Sequence, residues 1–244
     1  MYAYIFDSFL QDRKYHHDIG QIENRLATLG IQGKSEKMTI LKNFQEAARQ
    51  AIKRGAETLV VIGNDETVTK VLPQLIDAKV TLGLIPLGSN QAIAKILGIP
   101  VGLAACDALS RRVVRKIDLG KANNAYFLFT LTAPAEVTVD CGKYSITSLD
   151  PSGTITVANF PVGESRGLPD DGKLELIVAP GEAGRGWGRR GGTESIFPIT
   201  NIKLTSSQGP VSAILDGQVT IKTPVTVEVA KKKLAVIVGR DREF

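Results

Sequence analysis

The feature that most constrains the fold is a change of hydrophobic period near the middle of the chain. Before about residue 112, short β-branched runs alternate with segments whose apolar residues recur at helical spacing. The run Thr58–Ile62 is apolar or β-branched throughout, as in strands that are buried on both faces, and Thr81–Ile85 is a second strand of this kind. This alternation predicts a parallel sheet covered by helices.

The helices of this half are predicted from capping residues and from apolar spacing. Thr39 is expected to cap a helix whose inner face comes from the segment Ile40–Ile52. Further helices are predicted over Thr67–Asp77, with an interruption at Pro73, and over Ser89–Leu97. Each of these helices would connect two neighbouring parallel strands.

The second half of the chain contains short β-rich runs that are separated by Gly, Pro, Asp and Asn, and no further helix is predicted after about Arg112. This pattern is typical of an antiparallel β-sandwich. We therefore predict an α/β nucleotide-binding-like domain over residues 1–112, followed by a β-sandwich domain over residues 113–244.

Composition narrows the class of protein and its compartment. The 244 residues carry a formal net charge of +5, which suits an anionic small molecule or a membrane surface. Aromatic residues make up only 6%, which argues against a stacking surface for single-stranded nucleic acid. No apolar run approaches the ~18 residues that span a bilayer. Two cysteines and an N-terminus without signal-peptide character lead us to expect a cytoplasmic protein. From the low aromatic content and the mild net charge, we expect no nucleic-acid partner.

The first candidate site is the turn that follows the Thr58–Ile62 strand. Its residues are Gly63, Asn64, Asp65, Glu66 and Thr67. Ligands of open parallel sheets bind beyond the carboxyl ends of the strands, so Asp65 is expected to face a ligand or a metal. Gly63 and Asn64 can adopt positive φ, Asn at less cost than most residues with a side chain, and Thr67 is expected to cap the helix that follows. A plain strand-to-helix turn with Asp and Thr as caps is the alternative reading.

A second turn, within Ile85–Ala92, follows the next strand and also leads into a helix. The free N–H groups at a helix N-terminus suit an anion. Because neighbouring parallel strands end at the same edge of a sheet, the two turns would lie side by side and form one phosphate cradle. We expect Asp65 to lie within reach of Gly88 and Ser89.

The two turns, in order along the chain with the strands before them and the helices after them, resemble the diacylglycerol kinase catalytic domain family. That family includes bacterial lipid kinases and sphingosine kinases and is distantly similar to NAD kinase. The first turn resembles the family's Gly-Gly-Asp-Gly-Thr, and the second resembles Pro-Leu-Gly-Thr/Ser-Gly-Asn. In the second half, three segments resemble family strands and turns: Lys116–Gly120, Leu168–Val178 and Leu215–Val219.

The resemblance implies transfer of the γ-phosphate of ATP, with Mg²⁺, to a hydroxyl of a lipid or other small alcohol. It places catalytic roles at Asp65, Asp216 and Gln218. It implies a nucleotide-binding set, which is Gly63, Asn64, Glu66, Thr67, Gly88, Ser89 and Asn90. It also implies a metal site at Asp170 and Asp171, for which a simple Asp-Asp-Gly turn is the alternative.

Several positions depart from the family pattern. Asn64 and Asn90 replace glycines, although asparagine tolerates the left-handed region. Glu66 also replaces a glycine, and a carboxylate ~4 Å from a phosphate charge is repelled by about 4 kcal/mol at an effective dielectric of 20. Gln218 replaces the glutamate proposed as general base, and an amide cannot take a proton at neutral pH. The family's N-terminal Asn-Pro-x-Ser-Gly is replaced here by Asp7–Gln11.

These departures leave three functions open. The first is an ATP-dependent kinase of a lipid or other small alcohol. The second is a catalytically inactive pseudokinase that binds a ligand or regulates another protein, and the third is an NAD kinase-like nucleotide kinase. The expected partners are a small-molecule or lipid ligand, with peripheral membrane contact by the arginines of Gly181–Gly192 and a homodimer as further expectations.

Overall fold

The structure is a computed structural model that describes residues 1–76, 78–181 and 193–244. It divides into two compact units, of which the first comprises Met1–Ile117 and Lys233–Phe244 and the second comprises Asp118–Lys232. Apart from Gly181, the segment Gly181–Gly192 lies outside the described residues. None of the helices in the described ranges is long and apolar enough to cross a membrane.

The α-helices of the described residues all lie in the first unit. They are α1 (His16–Thr28), α2 (Phe44–Lys53), α3 (Asp65–Leu75), α4 (Ala92–Ile96) and α5 (Ala105–Arg111). Short 3-10 turns precede α1 and α5, at Ser8–Gln11, Arg13–Tyr15 and Gly102–Ala104. The prediction that no helix follows about Arg112 is confirmed for the residues that the structure describes.

The strands continue through both units. The first eight are β1 (Tyr2–Phe6), β2 (Lys34–Lys37), β3 (Thr58–Gly63), β4 (Thr81–Pro86), β5 (Val114–Ala122), β6 (Ala125–Phe127), β7 (Thr130–Pro134) and β8 (Thr138–Asp140). The other described strands are β9 (Ser145–Ile146), β10 (Thr154–Ala158), β11 (Leu174–Ala179), β12 (Ser195–Ile199), β13 (Asn201–Thr205), β14 (Ser212–Leu215), β15 (Val219–Lys222) and β16 (Val225–Ile237).

The first unit contains the predicted parallel sheet. Its strand order is β2-β1-β3-β4, followed by the last residues of β16, and these neighbours pair in parallel. All six residues of β3 are buried, as its continuous β-branched run predicts for a strand covered on both faces. The sheet therefore brings the carboxyl ends of β1, β3 and β4 to one edge.

The C-terminal segment belongs to the first unit, which differs from the predicted division at residues 112 and 113. Val236 pairs in parallel with Leu82 of β4. Beyond the strand, the N–H of Gly239 donates to the carbonyl oxygen of Leu97 at 2.8 Å. Chain order alone placed residues 233–244 in the β-sandwich, whereas these backbone hydrogen bonds attach them to the parallel sheet.

The second unit contains the predicted antiparallel β-sandwich. One sheet has the order β12-β11-β10-β7-β14-β15, and the strands β16, β13, β8 and β9 pair antiparallel in the other. Along β10, the inward residues Ile155 and Val157 are buried while Thr154 and Thr156 are more exposed. Buried side chains of both sheets form one apolar core.

The predicted helices differ from the structure in several details, and α3 begins at Asp65 rather than at Thr67. Asn43, not Thr39, caps the second helix, because its side chain accepts the N–H groups of the first helical turn. The segment before it forms the edge strand β2 and a turn that contains Ile40, which is exposed rather than on an inner face. Pro73 lies inside α3 without ending it, since it stands only two residues from the end and removes one helical hydrogen bond. The fourth helix begins at Ala92, not at Ser89.

Candidate functional site

Three loops follow the carboxyl ends of β1, β3 and β4 in the first unit. The N–H of Asp7 donates to the carbonyl oxygen of Ile62 at 3.0 Å, which joins the first loop to β3. The N–H of Leu87 donates to the carbonyl oxygen of Gly63 at 2.8 Å, which joins the third loop to the second. The predicted pair of neighbouring turns is therefore present, together with a loop from β1.

Asp65 connects the two predicted turns. Its carboxylate accepts the N–H of Ala92 at 2.8 Å and that of Ile93 at 3.2 Å, and its own N–H donates to the carbonyl oxygen of Asn90 at 3.0 Å. The side chain thus caps the short helix α4, which follows the other turn, rather than its own helix α3. Each of its carboxylate oxygens accepts one backbone N–H, and the expectation that the side chain faces a ligand or metal stays a prediction.

The environment of Asp65 changes its acidity. Burial disfavours the charged carboxylate and raises the pKa of Asp65 to about 6, although the N–H groups of Ala92 and Ile93 oppose this shift. The carboxyl group therefore changes charge close to neutral pH. Its two hydrogen bonds with α4 are strongest when it is ionised, because charge-assisted hydrogen bonds are stronger than neutral ones.

Asn64 and Thr67 form a capping box at the start of α3. The Asn64 side chain accepts the N–H of Thr67 at 3.2 Å, and the Thr67 hydroxyl accepts the N–H of Asn64 at 3.1 Å. Neither Gly63 nor Asn64 uses its tolerance of positive φ, because Asn64 has φ −118° and Gly63 is also outside the left-handed region. Gly63 is required by space, since a Cβ there would lie 2.4 Å from the Thr67 hydroxyl oxygen.

The sequence analysis missed a polar network beneath the first turn. Asp7, only 4% exposed, accepts a hydrogen bond from the Thr67 hydroxyl at 2.7 Å. The Lys70 amine lies 4.0 Å from the same Asp7 carboxylate and also contacts the ring of Phe44. The only sequence signal was an aspartate directly after the first strand, where the family has asparagine. This network fixes the start of α3 on the end of β1.

Glu66 extends from the first turn toward Lys70. The two residues are four apart on α3, and the Glu66 carboxylate lies 4.0 Å from the Lys70 amine. The Glu66 side chain is 58% exposed, so it does not fill the interior of the turn. Lys70 therefore lies between two carboxylates, those of Glu66 and Asp7, and partly balances the negative charge that Glu66 adds.

The second turn has the left-handed backbone that the family glycines suggested. Gly88 has φ 85° and Asn90 has φ 58°, which confirms that asparagine can replace glycine at the latter position. Ser89 and Asn90 are exposed. One face of Gly88 is covered, since a Cβ there would lie 2.9 Å from the ring of Phe9, which also packs edge-on against Tyr15.

A cavity of about 340 Å³ adjoins this edge of the sheet next to Asp7. Its wall includes His16 and Glu23 from α1 and Lys37 from the end of β2. The residues of the two predicted turns do not contribute to its wall. The cavity is therefore separate from the predicted phosphate cradle.

Asp216 and Gln218 lie in the turn between β14 and β15 of the second unit. The Asp216 carboxylate accepts three backbone N–H groups, from Leu128, Phe129 and Thr130, at 2.8 to 2.9 Å. Burial raises the pKa of Asp216, while these three donors oppose the rise. Gln218 is exposed, and its N–H donates to the carbonyl oxygen of Leu215. Asp216 thus holds the adjacent strand in place, and its oxygens are engaged by the backbone.

The predicted metal ligands Asp170 and Asp171 are both exposed. Asp171 accepts the N–H of Lys173 at 2.9 Å, which is the arrangement of a simple Asp-Asp-Gly turn. No group of three or more His, Cys, Asp and Glu side chains suited to a metal occurs among the residues that the structure describes. The buried carboxylate near this turn is Asp118, which accepts the N–H of Gly172 at 2.7 Å and which the sequence analysis did not select.

Comparison with known proteins agrees with this geometry. Residues 5–122 match the model of the diacylglycerol kinase catalytic domain. A diacylglycerol kinase of Bacillus subtilis (strain 168) is 31% identical over 114 residues, which is 45% of this chain and 38% of that protein. A "Probable lipid kinase YegS-like" of Pseudomonas aeruginosa is 27% identical over 219 residues, covering 69% of this chain and 72% of that protein.

A solved structure shares the fold over nearly the whole chain. The crystal structure of a diacylglycerol kinase from Bacillus anthracis str. Sterne superposes with a TM-score of 0.82 at 17% identity, covering 98% of this chain and 96% of that one. The likeness spans both the α/β unit and the β-sandwich unit. Over residues 5–122, the chain therefore matches the diacylglycerol kinase catalytic domain family.

Proposed function

We propose that this protein phosphorylates the hydroxyl group of a lipid, using ATP as the phosphoryl donor. The observation that carries the proposal is the connection of the two turns by Asp65. This side chain holds the Gly88–Asn90 turn against the Asn64–Thr67 turn at the carboxyl edge of the parallel sheet. Open α/β sheets bind their ligands at that edge, and the family match supports a nucleotide there.

The residues present suit a phosphate chain better than a resident metal. Ser89 and Asn90 are exposed polar groups on a left-handed turn, and they are the residues that would bind phosphate oxygens. The carboxylates of Asp65 and Asp216 are engaged by backbone donors, and Asp170 and Asp171 form an exposed turn. We therefore assign no Mg²⁺ ligand to the chain. Mg²⁺ would accompany ATP, held mainly by the phosphate oxygens.

Proton removal from the lipid hydroxyl is the weak part of this reaction. Gln218 cannot accept the proton, because an amide is not a base at neutral pH. Asp216, two residues earlier, binds three backbone N–H groups. General bases contribute typically 10²–10⁴-fold to such rates, so we propose slow transfer in which positioning does most of the catalysis.

The second candidate is a catalytically inactive family member that binds a ligand or regulates another protein. It is favoured by Gln218 at the position of the proposed base and by Glu66 at the edge of the cradle. Nothing among the described residues specifically favours the NAD kinase-like reading, and the family match supports the lipid kinase branch.

The test is phosphorylation of a short-chain diacylglycerol by the full chain with ATP–Mg²⁺, followed by mass spectrometry of the product. The wild type should form the phosphorylated lipid slowly, and Gln218→Glu should increase the rate at least tenfold. Gln208→Glu is the matched control, because Gln208 is also exposed in a turn of the second unit, and it should leave the rate unchanged. No product from either the wild type or Gln218→Glu would overturn the kinase proposal in favour of the inactive binding protein.

A further inference from the structure

The chain between β2 and α2 makes a tight turn whose apex is apolar. The N–H of Lys42 donates to the carbonyl oxygen of Thr39 at 3.1 Å, so Ile40 and Leu41 are the two central residues of a β-turn. Each of these side chains is 96% exposed. The other described apolar side chain with comparable exposure is Leu149, in the second unit, at 100%.

The turn is held firmly on both sides. Met38 is fully buried, and its backbone N–H donates to the carbonyl oxygen of Phe6. Its carbonyl oxygen accepts the side chain of Gln11. On the other side, Asn43 caps α2 through the N–H groups of Gln45 and Glu46. The apex is therefore presented by a fixed frame rather than by a loose loop.

Ile and Leu are not the residues that such a turn requires. Central turn positions favour Pro, Asn, Asp, Ser and Gly, and branched aliphatic residues offer the turn no hydrogen bond. At 96% exposure, neither side chain adds to the core. Residues that break a local rule without stabilising the fold are expected at functional sites.

The charges around the apex are mainly positive. Lysines at 34, 37 and 42 flank it, against one glutamate at 36 in the same segment. Lys42 pairs with Glu36, and Lys37 pairs with Glu23 at 3.1 Å. Exposed ion pairs of this kind are weak, so these lysines stay available to a more highly charged surface. Two exposed aliphatic side chains with lysines close to them in the sequence match the apolar interior and anionic headgroups of a bilayer surface.

We propose that the Thr39–Lys42 turn inserts Ile40 and Leu41 into the surface of an anionic membrane, with the flanking lysines on the headgroups. This proposal rests on the proposed function, because a kinase of lipids must reach a substrate that resides in a bilayer. It adds the surface by which the protein would contact that bilayer. The surface differs from the arginine segment that the sequence analysis suggested, which lies outside the described residues.

Flotation with vesicles, without nucleotide, tests the proposal on the full chain. Wild-type protein should bind vesicles of phosphatidylcholine mixed with phosphatidylglycerol, and weakly those of phosphatidylcholine alone. Ile40→Ser combined with Leu41→Ser should lower the partition coefficient about tenfold or more, because both aliphatic side chains are lost. Leu149→Ser is the matched control, as an equally exposed apolar residue, and should not change binding.

Three results would overturn the proposal. They are no binding of the wild type to either vesicle, equal binding by the double variant, or equal losses in the double variant and in Leu149→Ser. The turn could instead contact a second copy of this chain, and light scattering without vesicles tests this alternative. A wild-type dimer that the double variant abolishes would assign the turn to self-association and would also overturn the proposal. Kinase activity toward a short-chain lipid in free solution separates failure of the membrane proposal from failure of the proposed function, because the double variant should keep that activity.

Discussion

At the scale of single residues, the carboxylates of the candidate sites are held mainly by backbone donors. Asp65 accepts two N–H groups from α4, and Asp216 accepts three from the chain around β7. In both cases burial raises the pKa against the effect of these donors. Such carboxylates hold the candidate turns in place through the backbone, although both side chains remain partly exposed.

The raised pKa of Asp65 predicts a pH-dependent contribution to stability. The folded-state pKa of about 6 lies above the unfolded value of about 3.9, so folding favours the protonated form. The resulting stabilisation is full below about pH 4 and is lost as the pH rises through about 6. Asp65→Asn removes this titration. Relative to the wild type, its unfolding free energy should therefore improve by about 1–2 kcal/mol between pH 4 and pH 7.5, after discounting for partial exposure.

Urea unfolding at the two pH values measures this change, with Asp171→Asn as the control for an exposed aspartate. A difference between wild type and Asp65→Asn that is the same at both pH values would contradict the raised pKa.

These residues mark the limit of what the sequence could predict. Spacing and motif order placed Asp65 at the correct edge of the sheet, because the turn after a parallel strand must lie at that strand's carboxyl end. Which helix its carboxylate caps depended on the hydrogen bonds of a neighbouring turn, 27 residues later. The sequence likewise could not predict that Asp7 binds the Thr67 hydroxyl or that Lys70 lies near Asp7, because these contacts join different strands and helices.

At the scale of elements, the second turn depends on Gly88 for two reasons that can be separated. Gly88 has φ 85°, and a Cβ there would also meet the ring of Phe9 at 2.9 Å. Gly55, at the end of α2, has φ 86° and open space around it. Both glycines therefore have left-handed backbone, but of the two only Gly88 has a side chain close enough to clash with an added Cβ.

Alanine substitution should therefore cost more at Gly88 than at Gly55. We expect about 1–2 kcal/mol for Gly55→Ala from the left-handed backbone alone, and at least about 1 kcal/mol more for Gly88→Ala. Phe9→Ala should remove that excess in the double variant, as thermal or urea unfolding of the four proteins in the cycle would measure. Equal losses at the two glycines would show that Phe9 does not pack against the turn.

The elements themselves were predicted well where hydrophobic period decided them. β3 and β4 follow from continuous apolar runs, and the alternating strands of the sandwich follow from period two. The strand β2 was missed because Lys34–Lys37 is short, polar and at an edge, and so has no apolar pattern. The helix predicted after Thr39 was too long for a different reason, since the apolar but exposed Ile40 was taken for a buried residue.

At the scale of the whole molecule, the first unit is completed by the end of the chain. The last residues of β16 pair in parallel with β4, and residues 239 and 243 donate to carbonyl oxygens at the end of α4. Sequence order could not reveal this return, because a parallel partner can come from any distance along the chain. The predicted boundary was therefore incomplete at its C-terminal side.

A substitution in this last segment should destabilise the first unit. Val236 is fully buried, so Val236→Ala should cost about 1–3 kcal/mol. Val219→Ala, the same change at an exposed position of β15, should stay within about 0.5 kcal/mol. Thermal unfolding of the two variants makes the comparison, and similar small losses in both would show that the C-terminal strand does not support the parallel sheet.

The central claim is that the two turns joined by Asp65 bind the phosphates of ATP, with Glu66 opposing them. Calorimetry with ATP–Mg²⁺ tests it most directly, using the wild type and Glu66→Gly. Lys70, 4.0 Å from the Glu66 carboxylate, and the exposure of Glu66 reduce the repulsion expected from an isolated charge. We therefore predict weak binding by the wild type and binding about tenfold tighter by Glu66→Gly. Tight binding by the wild type that Glu66→Gly weakens would contradict the account and make Glu66 a ligand of the nucleotide's metal.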